Sequence, residues 1–188
     1  SALQLAERML QKKPGEEAVD PSPGASVWEE HLVEAIDRTL TLDPDHPDGT
    51  GLAYKAAFTL YETGEHERAI DWFQDVLDRD PSSQEARLAS HLILDSYAKQ
   101  EDWTGLEEWA LSFHEDEEVG DAADREMAFK IASQAGRAAL NEDSSADDWL
   151  TWIDRYGEEP EVVEQAVEAL RAEGRAAEAD ALEGATAP

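Results

Sequence analysis

Between Thr50 and Pro81 the chain spells out two amphipathic helices joined by a glycine turn, and this stretch limits most what the rest can fold into. Ala53, Ala56, Ala57 and Leu60 recur at the spacing that puts side chains on one face of an α-helix. Ala69, Ile70, Phe73, Val76 and Leu77 make a second stripe of the same kind. Gly64 falls between the two, where a left-handed or tight turn is easiest for a residue without Cβ. Pro81 predicts the end of the second helix, because the residue before a proline is pushed out of the α region. The segment reads as a helical hairpin.

A small residue at a helix crossing, then an alanine, an aromatic and a proline at fixed offsets, is the pattern of Ala57, Ala69, Phe73 and Pro81. In this the segment resembles a tetratricopeptide repeat (TPR). Carried forward, the pattern falls on Leu94, Leu106, Ala110 and Glu118, a degenerate copy. It falls next on Gly136, Asp148, Trp152 and Pro160, where Ala132 and Ala135 match Ala53 and Ala56 but Asp148 stands where an alanine would pack. These copies are spaced more widely than the family's period of roughly 34 residues, which implies insertions, the larger in the acidic loop 115–121. The resemblance implies an all-α fold over a single domain, 1–188, of antiparallel hairpins stacked as a short right-handed superhelix of about ten helices.

The flanking sequence fits helices at similar intervals. Ala2–Lys13 carries Leu3, Leu5, Ala6, Met9 and Leu10, and a loop rich in breakers follows over 14–25. Ser26 and Glu29 form a capping-box pattern for a helix whose buried side would be Val27, Trp28, Leu32, Ile36 and Leu40. Ser82 and Glu85 predict another box for a helix running to about Gln100, paired with Trp103–Phe113. Glu161–Arg171 and Arg175–Leu182, split by Gly174, form a last hairpin, and residues 184–188 read as a frayed tail. The six tryptophans fall mostly on the expected packing faces.

Charge excludes some partners. With 45 acidic against 15 basic residues, the formal charge of −30 opposes nucleic acid, whose phosphates need cations, and an anionic membrane surface. Two explanations of the acidity stand open, a basic partner and a high-salt habitat. The dispersal of the acids over nearly every helix, with five lysines against ten arginines, resembles the halophilic pattern. No apolar run is long enough for a membrane span and no leader is evident, so a soluble chain is expected, cytoplasmic or periplasmic. Ser1–Lys13 already looks like the middle of a helical array, as in a fragment of something longer.

No catalytic or metal motif is present, and cysteine is absent. No two histidines stand at helical ligand spacing, and the acidic loop lacks the oxygen-ligand pattern of an EF-hand, so neither metal nor cofactor is expected. The resemblance to TPR domains implies a protein–protein interaction scaffold, not an enzyme, whose first helices line a concave groove for a peptide or protein. An accessory domain of a larger enzyme, or an enzyme hidden among its acids, is the alternative. The groove candidates are Tyr54, Phe58 and Tyr61 as an apolar anchor, with His91, Asp95, Lys99 and Arg137 setting orientation and charge preference. Alternatively, the three aromatics pack against the adjacent helix. Tyr54 and Phe58 stand where a carboxylate clamp would need polar donors, and Asn141 is the single asparagine, so a clamp for a partner's C-terminus is not expected.

Overall fold

The computed structural model describes residues 27–141 and 143–186. The expected helix Ala2–Lys13, the loop 14–25 and the Ser26 cap lie outside them. Among the described residues the fold is all-α, with nine helices and no strand: α1 (Val27–Leu42), α2 (Gly49–Glu62), α3 (His66–Arg79), α4 (Gln84–Lys99), α5 (Trp103–Glu115), α6 (Ala122–Ala139), α7 (Ala146–Tyr156), α8 (Pro160–Ala172) and α9 (Ala176–Thr186). The sequence reads as one domain, whereas the chain divides into two compact units, the first ending at Ala132 and the second starting at Ser133, inside α6.

In the first unit α1 packs on α2, α2 on α3, α3 on α4 and α4 on α5, and α2 also packs on α4. The α2–α3 turn is the expected one, with Gly64 at φ +82°. Ala53, Ala56, Ala57 and Leu60 from α2 meet Ala69, Ile70, Phe73 and Val76 from α3 in a core that Val33, Ile36 and Leu40 of α1 and Ala86, Ala89 and Ile93 of α4 complete. Small residues on α2 let neighbouring backbones come close, and Phe73, fully buried, fills the space they leave.

Three local expectations need correction. The buried side of α1 is Val33, Ile36 and Leu40, while Val27 and Trp28 in its first turn are exposed, Trp28 by 84%. The cap of α4 is Ser83, not Ser82: Ser83 has extended backbone and its Oγ accepts from Ala86 N–H at 3.0 Å, while Ser82 Oγ donates to Asp80. Pro160 does not close a helix as Pro81 does. Here α7 ends at Gly157, and Pro160 opens α8 at its first position, where its missing N–H costs no helical hydrogen bond.

Polar contacts between non-adjacent helices of the first unit share a narrow range of sequence separation. Arg68 on α3 donates to Glu30 on α1 across 38 residues. Tyr61 on α2 reaches Asp95 on α4 across 34, and Arg87 on α4 reaches Asp124 on α6 across 37. Each of these bonds joins a helix to the one two places on, one hairpin away in sequence.

In the second unit α8 packs on both α7 and α9. Trp149, Trp152, Val162 and Ala166 form one buried cluster, and Ala146, Val163, Val167, Leu170 and Ala179 another. Ser145 caps α7 in a reciprocal box with Asp148. Asp148, at the place of a packed alanine in the sequence pattern, is thus a capping residue. Gly174 turns α8 into α9 at φ +79°, and α9 runs through Thr186, beyond the Leu182 end that the pattern predicts.

Candidate functional site

The aromatic stripe of α2 is continuous. Tyr54 and Phe58 stack with ring centroids 6.1 Å apart, and Phe58 and Tyr61 do the same at 6.1 Å. The three are not equivalent. Tyr54 and Tyr61 each lean on the buried Phe73 ring, at 6.0 and 6.4 Å, and both pack against the core. Phe58 remains 40% exposed, and Leu88 on α4 is 43% exposed. Burial, reinforced by the negative charge of Glu85 in the first turn of α4, raises the Tyr54 hydroxyl pKa. Leu88 follows Glu85 by one helical turn on α4.

At the other end of α2 the candidates bind one another. The Tyr61 hydroxyl donates to Asp95 Oδ2 and accepts from Lys99 Nζ at 2.7 Å. Lys99 also pairs with Asp95 at 3.1 Å and lies 4.0 Å from the Tyr61 ring centroid. Burial, with the bond to Asp95, raises the Tyr61 pKa. Burial disfavours the Lys99 ammonium, but Tyr61 and Asp95 outweigh it and hold its pKa above the ordinary lysine value. His66 sets its ring against the edge of Tyr61 at 5.6 Å, and its Nδ1 is buried without a hydrogen-bond partner. Burial first, and Lys99 second, lower the His66 pKa.

A second polar cluster forms where α4 meets the start of α6. Asp124 is only 5% exposed. Its carboxylate accepts from Arg87 Nε at 2.7 Å and from the Asp121 N–H at 2.9 Å, and lies 3.3 Å from His91 Nε2. Burial pushes the Asp124 carboxyl up, but the Asp121 N–H, Arg87 and His91 outweigh it and hold the pKa below the usual aspartate value. His91 also abuts the Phe113 ring edge at 5.7 Å. Asp121 returns the favour by accepting from the N–H groups of Ala123 and Asp124, so the acidic loop closes as a cap on α6. Gly120 precedes it at φ +70°, and a Cβ there would come within 2.9 Å of Asp124 Oδ2.

Of the expected groove residues, the structure brings Tyr54, Phe58, Tyr61, Asp95 and Lys99 together along α2 and α4. His91 is tied to Asp124 instead, and Arg137 belongs to the second unit, where its guanidinium lies 5.0 Å over the Trp149 ring. Sequence reasoning missed Leu88, Arg87 and Asp124. The Asp121–Asp124 spacing is a legible cap signal, whereas nothing local marks Arg87 as its partner. Among the described residues no group of three or more His, Cys, Asp or Glu is arranged to hold a metal ion, and no helix is long and apolar enough to cross a membrane. No family model, no curated protein and no solved structure matches the chain.

Proposed function

We propose that the chain is a non-catalytic interaction module, a TPR-like array of helix hairpins that holds a peptide or protein partner against α2 and α4. The observation that carries this reading is the pair Phe58 and Leu88, large apolar side chains left exposed on two helices one hairpin apart. Tyr54 and Tyr61 flank Phe58 and are braced from beneath by Phe73, so the anchor is rigid. Rigid aromatics lose little entropy on contact and dominate binding where water is excluded. The contacts spanning 34 to 38 residues support the repeat reading, since they fall at or a few residues above the roughly 34-residue length of one helix pair in the resembled family.

Asp95 and Lys99 neutralise each other, and His91 faces Asp124, so these side chains are engaged within the fold. The preferred ligand is therefore a segment with an aromatic or aliphatic anchor, with basic flanks to suit the net charge of −30. Selection from a displayed random-peptide library tests this. Peptides with such an anchor should be enriched, and Phe58→Ala with Leu88→Ala should weaken their binding by about 2 kcal/mol or more for a true hot spot while the circular dichroism is unchanged. Selected peptides that bind the double variant as well as the parent would overturn the assignment.

A further inference from the structure

A second feature lies on helices that the α2–α4 face does not use. Between α1 and α3 the first unit opens a cleft of about 290 Å³ lined by Asp37, Leu40, Thr41, Asp71, Trp72, Asp75 and Arg79. Two bridges tie these helices and their loops together, Arg68 to Glu30 and Arg79 to the Pro44 carbonyl at 2.8 Å. Leu40 and the half-buried Trp72, both packed into the core, give the cleft an apolar wall. The cleft also holds uncompensated charge. Asp75 is paired with Arg79 at 2.8 Å, but Asp37 and Asp71, one from each helix, take part in no hydrogen bond or ion pair among the described residues.

An aromatic wall beside two unpaired carboxylates selects for a particular shape of ligand, an alkyl stem ending in a cation. The stem would cover Leu40 and Trp72, as lysine and arginine stems cover apolar surface elsewhere. The cation would lie near the indole face and between Asp37 and Asp71. An anion would meet the same carboxylates and be repelled, and a neutral chain would leave them uncompensated. We propose that the α1–α3 cleft is a binding site for a primary-ammonium side chain, a lysine presented by a protein partner. This site is independent of the α2–α4 face, so either can fail without the other.

The probe is Nα-acetyl-lysine methylamide, titrated into the ¹⁵N-labelled chain at low salt, with the norleucine and Nε-acetyl-lysine analogues as uncharged controls. A saturable shift is expected at the Trp72 indole N–H, assigned through Trp72→Phe, and at the amides of Asp37, Thr41 and Asp71, for the lysine probe alone. Because the whole chain is acidic, the site must be separated from diffuse attraction. Asp37→Asn with Asp71→Asn should weaken binding about tenfold, while Glu161→Gln with Glu164→Gln, which removes the same charge from α8, should leave it unchanged. Equal weakening by both pairs, equal shifts with the uncharged analogues, or shifts scattered over the surface would overturn the proposal.

Discussion

The two compact units close their polar contacts over different lengths of chain. In the first, Tyr61 meets Asp95 and Arg87 meets Asp124 across 34 and 37 residues, joining helices of 14 to 18 residues. In the second, Arg175 meets Asp147 across 28 residues and Glu173 caps the Ala146 N–H across 27, around helices of 11 and 13 residues. The contrast extends to the charges. Asp124 is a buried acid that gathers Arg87, His91 and a backbone N–H, whereas Arg175, a partly exposed base, gathers the solvent-facing acids Asp147, Glu173 and Glu178. A buried hub fixes geometry because leaving one of its members unpaired is costly, while an exposed one is screened and cheap to rearrange.

The largest expected effects separate the two cores. Phe73→Ala empties the centre of the first unit and should cost about 3–5 kcal/mol in urea unfolding. The aromatic at the matching place of the second unit, Trp152, does more than fill space, since its Nε1–H donates to the Ser133 carbonyl at 3.1 Å. Trp152→Phe should therefore cost about 1–3 kcal/mol although a ring is kept. A negligible cost for Trp152→Phe would remove that distinction between the cores. Ala57, with no exposed surface, tests crowding in the α2–α3 hairpin. Ala57→Leu should overpack it and cost about 1–3 kcal/mol, and an unchanged melting temperature would contradict the tight packing of α2.

How far this was legible from sequence depends on the distance over which each feature is encoded. The α2–α3 hairpin was readable because its two stripes and Gly64 are local, and the last hairpin was readable for the same reason at Gly174. Adjacent serines defeated the cap assignment. Ser82 and Ser83 have the same chemistry, and what decides between them is that Ser83 holds extended backbone while Ser82 is taken by Asp80. For the candidate site, the aromatic stripe on α2 was visible, but periodicity cannot say which member of a stripe rests on a neighbouring helix. That Tyr54 and Tyr61 lean on Phe73 while Phe58 does not depends on how α3 crosses beneath them. Likewise the burial of Asp124 is set by Arg87 and His91 on another helix, and so has no local signature.

Acid titration compares the hubs directly. The native pKa of Asp124 lies below its ordinary value of 3.8, so the unfolded chain binds its proton first. Its stabilisation is present above pH 3.8 and is lost as pH falls through the lower native value. Asp124→Asn should therefore flatten the acid limb of stability measured by denaturant midpoint. A histidine acts in the same sense at higher pH: His66, with its pKa lowered from 6.5, favours folding fully above that value and progressively less just below it. His66→Gln should remove that component. Arg175→Ala should instead give a small loss that disappears in high salt, as expected of exposed pairs. A pH-independent Asp124→Asn difference across the acid limb would show that the buried hub is no different from the exposed one.

The smallest expected effect on stability is the most informative about the α2–α4 face. Phe58 is 40% exposed and stacks only on its helical neighbours, whereas Tyr54 rests on both Phe58 and the buried Phe73. Phe58→Ala gives up only part of the area a core phenylalanine would and gains alanine's better helix propensity, so it should shift unfolding by no more than about 1 kcal/mol. Tyr54→Ala strips contact from the Phe73 ring and opens the core edge, so its cost should be clearly larger, about 2 kcal/mol. The two residues lie one turn apart on one helix and have similar intrinsic helix propensity, so a difference between them reports packing and not helix formation. Equal losses would make Phe58 a core residue like Tyr54, leaving α2 without a free aromatic to offer a partner. A silent Phe58→Ala that still weakens peptide capture would mark the side chain as one kept exposed for binding.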